Sequence, residues 1–229
     1  MANVVITGAS RGLGLAMARE MASRGHRVFG GTRSDASLGE GIEKFELDVC
    51  DEERVKQVIS NLARNRHIDI LINNAGVYVG GPLALAREDD FKHVLDVNLL
   101  GAWRVTRAAL PFMKEGGCIA MISSLSGLLG TAEDGLYAAS KFALEGMSES
   151  LAEELKISGL RVALIEPGAI ATGFGGFQHG VAPNALAHEI ADILASPSGQ
   201  LRYPVGEQAA KIAERIGLDR RMTSERLES

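Results

Sequence analysis

Short runs of apolar and β-branched residues alternate along this chain with longer stretches whose apolar positions recur every three to four residues. The short runs predict strands at Asn3 to Thr7, Arg27 to Thr32, Glu43 to Val49, Asp69 to Asn73, Gly117 to Ser124 and Leu160 to Glu166, with a last one at Leu201 to Val205. The longer stretches predict helices at Leu15 to Ser23, where Leu15, Ala18 and Ala22 form one stripe, and at Asp51 to Arg64, Arg87 to Met113, Gly135 to Ile157 and Glu207 to Ile216. Asp51 is placed to cap its helix, with Arg54 in the first turn. Apolar strands alternating with helices predict βαβ units, hence an α/β fold with a doubly wound parallel sheet covered on both faces. No repeat, low-complexity tract or linker divides the chain, so residues 1–229 read as a single domain. The irregular stretch is 169–200, rich in glycine and small residues, with one helix expected at Leu186 to Leu194. It reads as a mobile lid or as an ordinary surface excursion.

Composition narrows the functional classes. At 46% hydrophobic and 23% charged residues the chain is globular in type, and a net charge of -5 with a pI near 5.6 leaves no basic footprint for nucleic acid. No apolar run reaches the roughly eighteen residues that span a bilayer, so no membrane partner is expected. No targeting segment is expected ahead of the strand at Asn3. Cys50 and Cys118 lie in unrelated segments and form no C-x-x-C pair, which fits a reduced, cytoplasmic protein. The five histidines lack zinc-like spacing, and no metal site is expected.

In an open α/β sheet, ligands bind outside the carboxyl ends of the strands. Polar and glycine residues gather at these ends: Gly8 to Gly14, Thr32 and Arg33, Asp48 and Val49, Asn73 to Gly76, Ser123 and Ser124, and Pro167 to Thr172. The first group joins a strand to a helix through Gly8, Gly12 and Gly14, spaced G-x-x-x-G-x-G rather than G-x-G-x-x-G. A helix N-terminus there attracts an anion, and the glycines let a pyrophosphate approach the backbone. Where a carboxylate would accept hydrogen bonds from an adenosine ribose, strand two ends in Thr32 and Arg33, and Arg11 stands inside the glycine turn. Two guanidiniums suit a 2′-phosphate, so NADP(H) is expected over NAD(H). Asp35 nearby keeps NAD(H) possible.

Tyr137 and Lys141, four residues apart, share a helical face. An ammonium close to a phenol favours the phenolate and is expected to lower a pKa that starts at about 10. Such a tyrosine passes a proton to or from an alcohol oxygen. Ser124, at the end of strand five, can hydrogen-bond that oxygen. Asn98 is a polar residue where the helical pattern would accept an apolar one.

These residues together make the chain resemble the short-chain dehydrogenase/reductase family, from Asn3 to about Thr172. Thr7 to Gly14 (Thr-Gly-Ala-Ser-Arg-Gly-Leu-Gly) is similar to that family's cofactor turn, and Asn73-Asn74-Ala75-Gly76 to its motif after strand four. Ser124, Tyr137 and Lys141 match its Ser…Tyr-x-x-x-Lys triad, Asn98 its fourth catalytic member, and Pro167-Gly168 with Thr172 its nicotinamide-holding segment. The resemblance implies a Rossmann-type domain of about seven strands and hydride transfer between a nicotinamide and a carbonyl or alcohol carbon. It makes Tyr137 the general acid/base, with Lys141 lowering its pKa and holding the nicotinamide ribose. Ser124 would steady the substrate oxygen, and Asn98 would hold a water linking Lys141 to solvent. It gives the cofactor Gly8, Ser10, Arg11, Gly12, Leu13, Gly14, Thr32, Arg33, Asp48, Val49, Asn74, Ala75, Gly76, Tyr137, Lys141, Pro167, Gly168 and Thr172. It also implies a homodimer or homotetramer built through Asn98 to Met113 and Leu136 to Ile157.

After Thr172 the chain departs from the family pattern. The last strand, with the segment Leu201 to Gly206, looks more like the steroid- and retinol-dehydrogenase branch than the fatty-acid ketoreductase branch. Tyr78, Leu125, Leu128, Leu129, Phe174 and Phe177 give the site an apolar character that suits a lipophilic ketone or secondary alcohol. Gln178 and His179 can add polar contacts or face solvent. The leading expectation is an NADP(H)-dependent carbonyl reductase or alcohol dehydrogenase. The alternatives are a nucleotide-sensing regulator without chemistry, and a lyase or dehalogenase on the same fold. Intact Tyr137, Lys141 and glycine turn count against both.

Overall fold

A computed structural model describes residues 1–176, 178–196, 199–219 and 221. The strands are β1 (Asn3–Thr7), β2 (Arg27–Thr32), β3 (Ile42–Glu46), β4 (Ile68–Asn73), β5 (Met113–Ile122), β6 (Arg161–Pro167) and β7 (Arg202–Val205). They form one seven-stranded sheet in the order β3-β2-β1-β4-β5-β6-β7, and every neighbouring pair is parallel. The helices are α1 (Gly12–Ser23), α2 (Glu52–Ala63), α3 (Glu88–Leu95), α4 (Ala102–Ala109), α5 (Gly135–Leu155), α6 (Pro183–Ala195) and α7 (Glu207–Arg215).

Strand alternation explains why both faces are covered. Val4, Ile6, Ile70, Ile72, Ala163 and Ile165 point into one layer with Met17 and Met21 of α1 and Leu186 and Ile190 of α6. Val5, Leu71, Val162 and Leu164 point into the other, with Val55 and Ile59 of α2, Val105 of α4 and Leu144 of α5. Successive side chains along a strand face opposite ways, so a strand apolar at every position needs a helix on each side. Among the described residues no helix is long and apolar enough to cross a membrane.

The structure departs from the sequence reading in instructive places. Strand three ends at Glu46 rather than Val49, because the Asp48 carboxylate accepts the Cys50 N–H (3.0 Å) and turns the chain out of the sheet. The helix expected at Arg87 to Met113 is broken. A π turn over Asp96–Gly101 separates α3 from α4, a short 3₁₀ turn with Pro111 ends α4, and Met113 already belongs to β5. Gly101 lies so close to Val49 that a Cβ would stand 2.6 Å from its side chain, while Asn98 in the same turn is tied to the backbone of Val77. The excursion at 169–200 is two things. α6 packs into the core, with Leu186, Ala187 and Ile190 buried, and the shorter loop before it is pinned where Ile170 bridges Val181.

Asp51 caps α2 as the sequence indicates, accepting the Arg54 N–H at 2.9 Å. Removing that acceptor in Asp51→Ala is expected to cost about 1 kcal/mol. Urea unfolding should register the loss.

Candidate active site

The strands bring their carboxyl ends to one edge of the sheet, where β1 lies between β2 and β4 and the strand order reverses. A cavity of about 800 Å³ opens there. Its walls include Gly8, Ser10, Arg11, Gly12, Leu13 and Gly14 of the first turn, Thr32 and Arg33 after β2, and Asp48 and Val49 after β3. Asn74, Ala75 and Gly76 follow from β4, Ser124 from β5, Tyr137 and Lys141 from α5, and Pro167, Gly168 and Thr172 from β6. Asn98 does not reach the wall. It is 1% exposed, accepts the Val77 N–H (2.8 Å), and donates to the Val77 carbonyl (2.9 Å) and the Ser140 hydroxyl (3.0 Å). Its amide is engaged with protein groups and ties the loop after β4 to α5.

One end of the cavity is a cradle. Among the described residues no side chain caps α1, so the N–H groups of its first turn face the cavity end unclaimed by side chains. Gly8 sits at φ +67°, and a Cβ on Gly14 would stand 2.3 Å from the Gly8 carbonyl. This backbone tolerates no side chain at either place and leaves the approach open to a ligand. The turn is held by Asn74, which donates to the carbonyls of Thr7 (2.9 Å) and Gly8 (3.1 Å). The Thr7 hydroxyl in turn accepts the Asn74 and Ala75 N–H groups, both at 3.0 Å. Arg33, exposed, reaches Asp48 at 3.9 Å, and Arg11 lies exposed on the same rim. Asp35 is not part of the lining; it pairs with Lys44 at 3.4 Å. A pyrophosphate-containing nucleotide fits this donor set.

The other end is aromatic, with Leu125 and Leu129 beside it. Tyr78, Tyr137 and Phe174 stack edge-on around it, with ring centroids 5.2, 6.0 and 6.3 Å apart. The Ser124 hydroxyl lies in the same wall beside Tyr137. The Lys141 ammonium donates to the Ile122 carbonyl at 2.7 Å and lies 5.5 Å from the Tyr137 ring. Burial pushes Lys141 down to about 8, partly offset by Glu145. The expected lowering of the tyrosine by Lys141 is not found. Burial pushes the Tyr137 hydroxyl up, Ser124 pulls it back, and Asp134 adds a further push upward. Both groups sit in low dielectric, where the uncharged forms are favoured.

Leu125, Leu129, Tyr78 and Phe174 line this end as expected, whereas Leu128 does not, Gln178 and His179 are exposed, and Phe177 lies outside the described residues. Several wall residues escaped the sequence reading. Gln208 and Ile212 come from α7, and Glu133 and Asp134 from the loop before α5. Asp134, three residues before Tyr137, was legible as an acid at a helix start; α7 carried no signal.

Comparison with known proteins follows the same lines. Residues 2–178 match the family model for short chain dehydrogenases. The chain is 37% identical over 174 residues to 3-ketodihydrosphingosine reductase of Bacteroides thetaiotaomicron, covering 75% of this chain and 65% of that protein, so it spans just under two thirds of that relative's length. It is 34% identical over 238 residues to retinol dehydrogenase 8 of Bos taurus, covering 93% of this chain and 76% of the relative. A short chain dehydrogenase from Burkholderia cenocepacia, solved in complex with NADP, superimposes with a TM-score of 0.85 at 26% identity over 100% of this chain and 98% of the other. With its parallel seven-stranded sheet, its glycine cradle and this match over most of its length, the chain belongs to the short chain dehydrogenase family of oxidoreductases.

Proposed function

We propose that the protein is an NADP(H)-dependent reductase of a lipophilic ketone or aldehyde, or the corresponding secondary-alcohol dehydrogenase. The observation that carries this reading is the meeting of Tyr137, Ser124 and Lys141 in one dry pocket at the far end of an anion cradle. Gly8, Ser10, Arg11, Gly12, Leu13 and Gly14 would hold the pyrophosphate, Thr32 and Arg33 the adenosine ribose, and Asp48 and Val49 the adenine. Asn74, Ala75 and Gly76 would line the middle, with Pro167, Gly168 and Thr172 at the carboxamide. When bound, the nicotinamide supplies or accepts the hydride. The preference for NADP(H) rests on Arg11 and Arg33 at the rim, on Asp35 standing outside the lining, and on the NADP found in the Burkholderia relative.

The chain's own groups handle the proton. Ser124 steadies the substrate oxygen, and Tyr137, kept protonated by its burial, donates to that oxygen as negative charge develops on it. The Lys141 ammonium lies beside the phenol ring and favours the anion that Tyr137 becomes after donating. Asn98 acts as a positioning residue through Val77 and Ser140. The whole chain would work as one domain, and the loop between Ala171 and Val181, pinned at its base, would close over the substrate. Exposed Trp103 on α4 and Phe142 on α5 support assembly into a homodimer or homotetramer. The free thiols of Cys50 and Cys118 support a reducing, cytoplasmic setting.

Absorbance at the nicotinamide band tests the reading directly, with NADPH or NADH and a panel of ketones and aldehydes. NADPH should be consumed with at least one carbonyl, and faster than NADH. Nucleotide binding without turnover across the panel would favour a sensor. Tyr137→Phe removes the transferable proton and is expected to lower turnover by about a thousandfold or more while leaving NADPH affinity within about threefold, as calorimetry would measure. Reductive turnover should also fall as pH rises through about 8, where Lys141 loses its proton. A flat profile up to the ordinary lysine range would contradict that assignment.

A further inference from the structure

The loop before α5 carries a carboxylate that its own helix does not use. Asp134 stands just ahead of Gly135, where an aspartate most often caps a helix, yet its side chain makes no capping bond. It is 9% exposed and lines the active-site cavity. Glu133 before it takes a left-handed φ of 65°, with its carbonyl accepting the Gly81 N–H at 2.7 Å. A residue with a side chain is strained in that region. The turn sets the Asp134 carboxylate at the aromatic end of the cavity, beside Tyr78 and Tyr137. Burial raises both phenols, and the Asp134 charge raises each further.

Glu145 and Glu166, buried like Asp134, have a guanidinium beside them. Arg202 of β7 donates to Glu145 of α5 through Nε (3.2 Å) and to Glu149 through Nη2 (2.6 Å), and its Nε lies 3.7 Å from Glu166 of β6. Among the described residues Asp134 makes no ion pair. Lys141, the cation on the same wall, is held at the Ile122 carbonyl (2.7 Å). The phenols beside Asp134 can each donate a hydrogen bond but bring no positive charge. A carboxylate so far removed from water lacks a counter-charge until a ligand supplies one. The rings supply a second attraction of the same sign. Tyr78, Tyr137 and Phe174 surround this end with centroids 5.2 to 6.3 Å apart, and aromatic faces attract a cation.

We propose that the carbonyl substrate carries a cationic nitrogen, held by the Asp134 carboxylate and the faces of Tyr78 and Phe174 while Ser124 and Tyr137 meet the carbonyl oxygen. The proposal rests on the reductase reading and narrows it. The substrate class is an amino ketone or amino aldehyde whose apolar part lies along Leu125 and Leu129. The same carboxylate rejects carbonyl compounds bearing an acid. Asp134 is then a specificity-determining residue, three positions ahead of the one that passes the proton.

The test compares two ketones of equal shape. 4-Dimethylaminobutan-2-one is cationic in neutral water, and 5-methylhexan-2-one has carbon in place of the nitrogen. With NADPH, wild-type kcat/KM for the cationic ketone should exceed that for its isostere by about tenfold or more, as one charge pair in a partly buried site provides. In Asp134→Asn the ratio should fall to about one. Equal values in the wild type would overturn the proposal. So would a ratio that survives Asp134→Asn, whether or not Glu133→Gln removes it. If Asp134→Asn does not fold, Asp134→Ser takes its place with the same expectations. NMR titration without NADPH reads binding apart from turnover: the wild type should bind the cationic ketone about tenfold more tightly than the isostere, and Asp134→Asn should bind both alike. If neither ketone is turned over while that preference holds, the reductase reading falls and the cation site stands. Binding without preference overturns the site itself.

Discussion

Four hydrogen bonds between the end of β1 and the residues after β4 hold the place on which the rest of the structure depends. β1 and β4 are neighbours in the sheet, but the chain leaves β1 toward α1 on one face and leaves β4 toward the other. The strand ends would splay apart without a tie. Asn74 and Thr7 provide it with groups that are otherwise orphans: carbonyls at the end of a strand and N–H groups at the start of a loop. A buried polar backbone left unpaired costs free energy comparable to a lost hydrogen bond. The clamp therefore satisfies the backbone and fixes the glycine turn at once. The same contact explains why Gly14 cannot carry a side chain, since the space a Cβ would take is filled by the Gly8 carbonyl and the Asn74 amide.

The cavity obeys different electrostatics at its two ends. Arg33 and Arg11 stand exposed, where salt screens them. Tyr137 and Lys141 stand in a dry wall, where the uncharged forms are favoured and each nearby charge weighs heavily. On the proposed reading, binding at one end relies on the solvent-facing rim and the uncapped helix. Proton transfer at the other relies on burial.

Much of this was legible in the chain because parallel strands buried on both faces read as unbroken apolar runs. Asn3–Thr7 and Arg27–Thr32 have the bounds the pattern indicates. What failed was the assumption that one periodic pattern makes one helix. The π turn holds Asn98 against the Val77 backbone and brings Gly101 close to Val49, tertiary contacts invisible along the sequence. The site followed the same division. Its wall residues at strand ends were legible because topology dictates where strand ends go. The contributions of Gln208 and Ile212 were not, because α7 meets the cavity only through the packing of the last strand. The direction of the Tyr137 shift was not legible for a related reason: spacing gives proximity to Lys141, but burial, which decides the direction, is a property of the assembled core.

Arg202 sits on β7, the last strand to be made, and its carboxylate partners sit on α5 and β6. Until β7 pairs with β6, Glu145 lacks the Arg202 guanidinium that donates to its carboxylate in the finished fold, and closing the core around it would bury a carboxylate without that partner. A chain that stops at β6 would therefore leave this edge of the core without its arginine. Parallel strands already demand long loop closures before their contacts form. The arginine adds an electrostatic checkpoint to that delay, so the pocket around Lys141 reaches its final form when synthesis has passed the seventh strand.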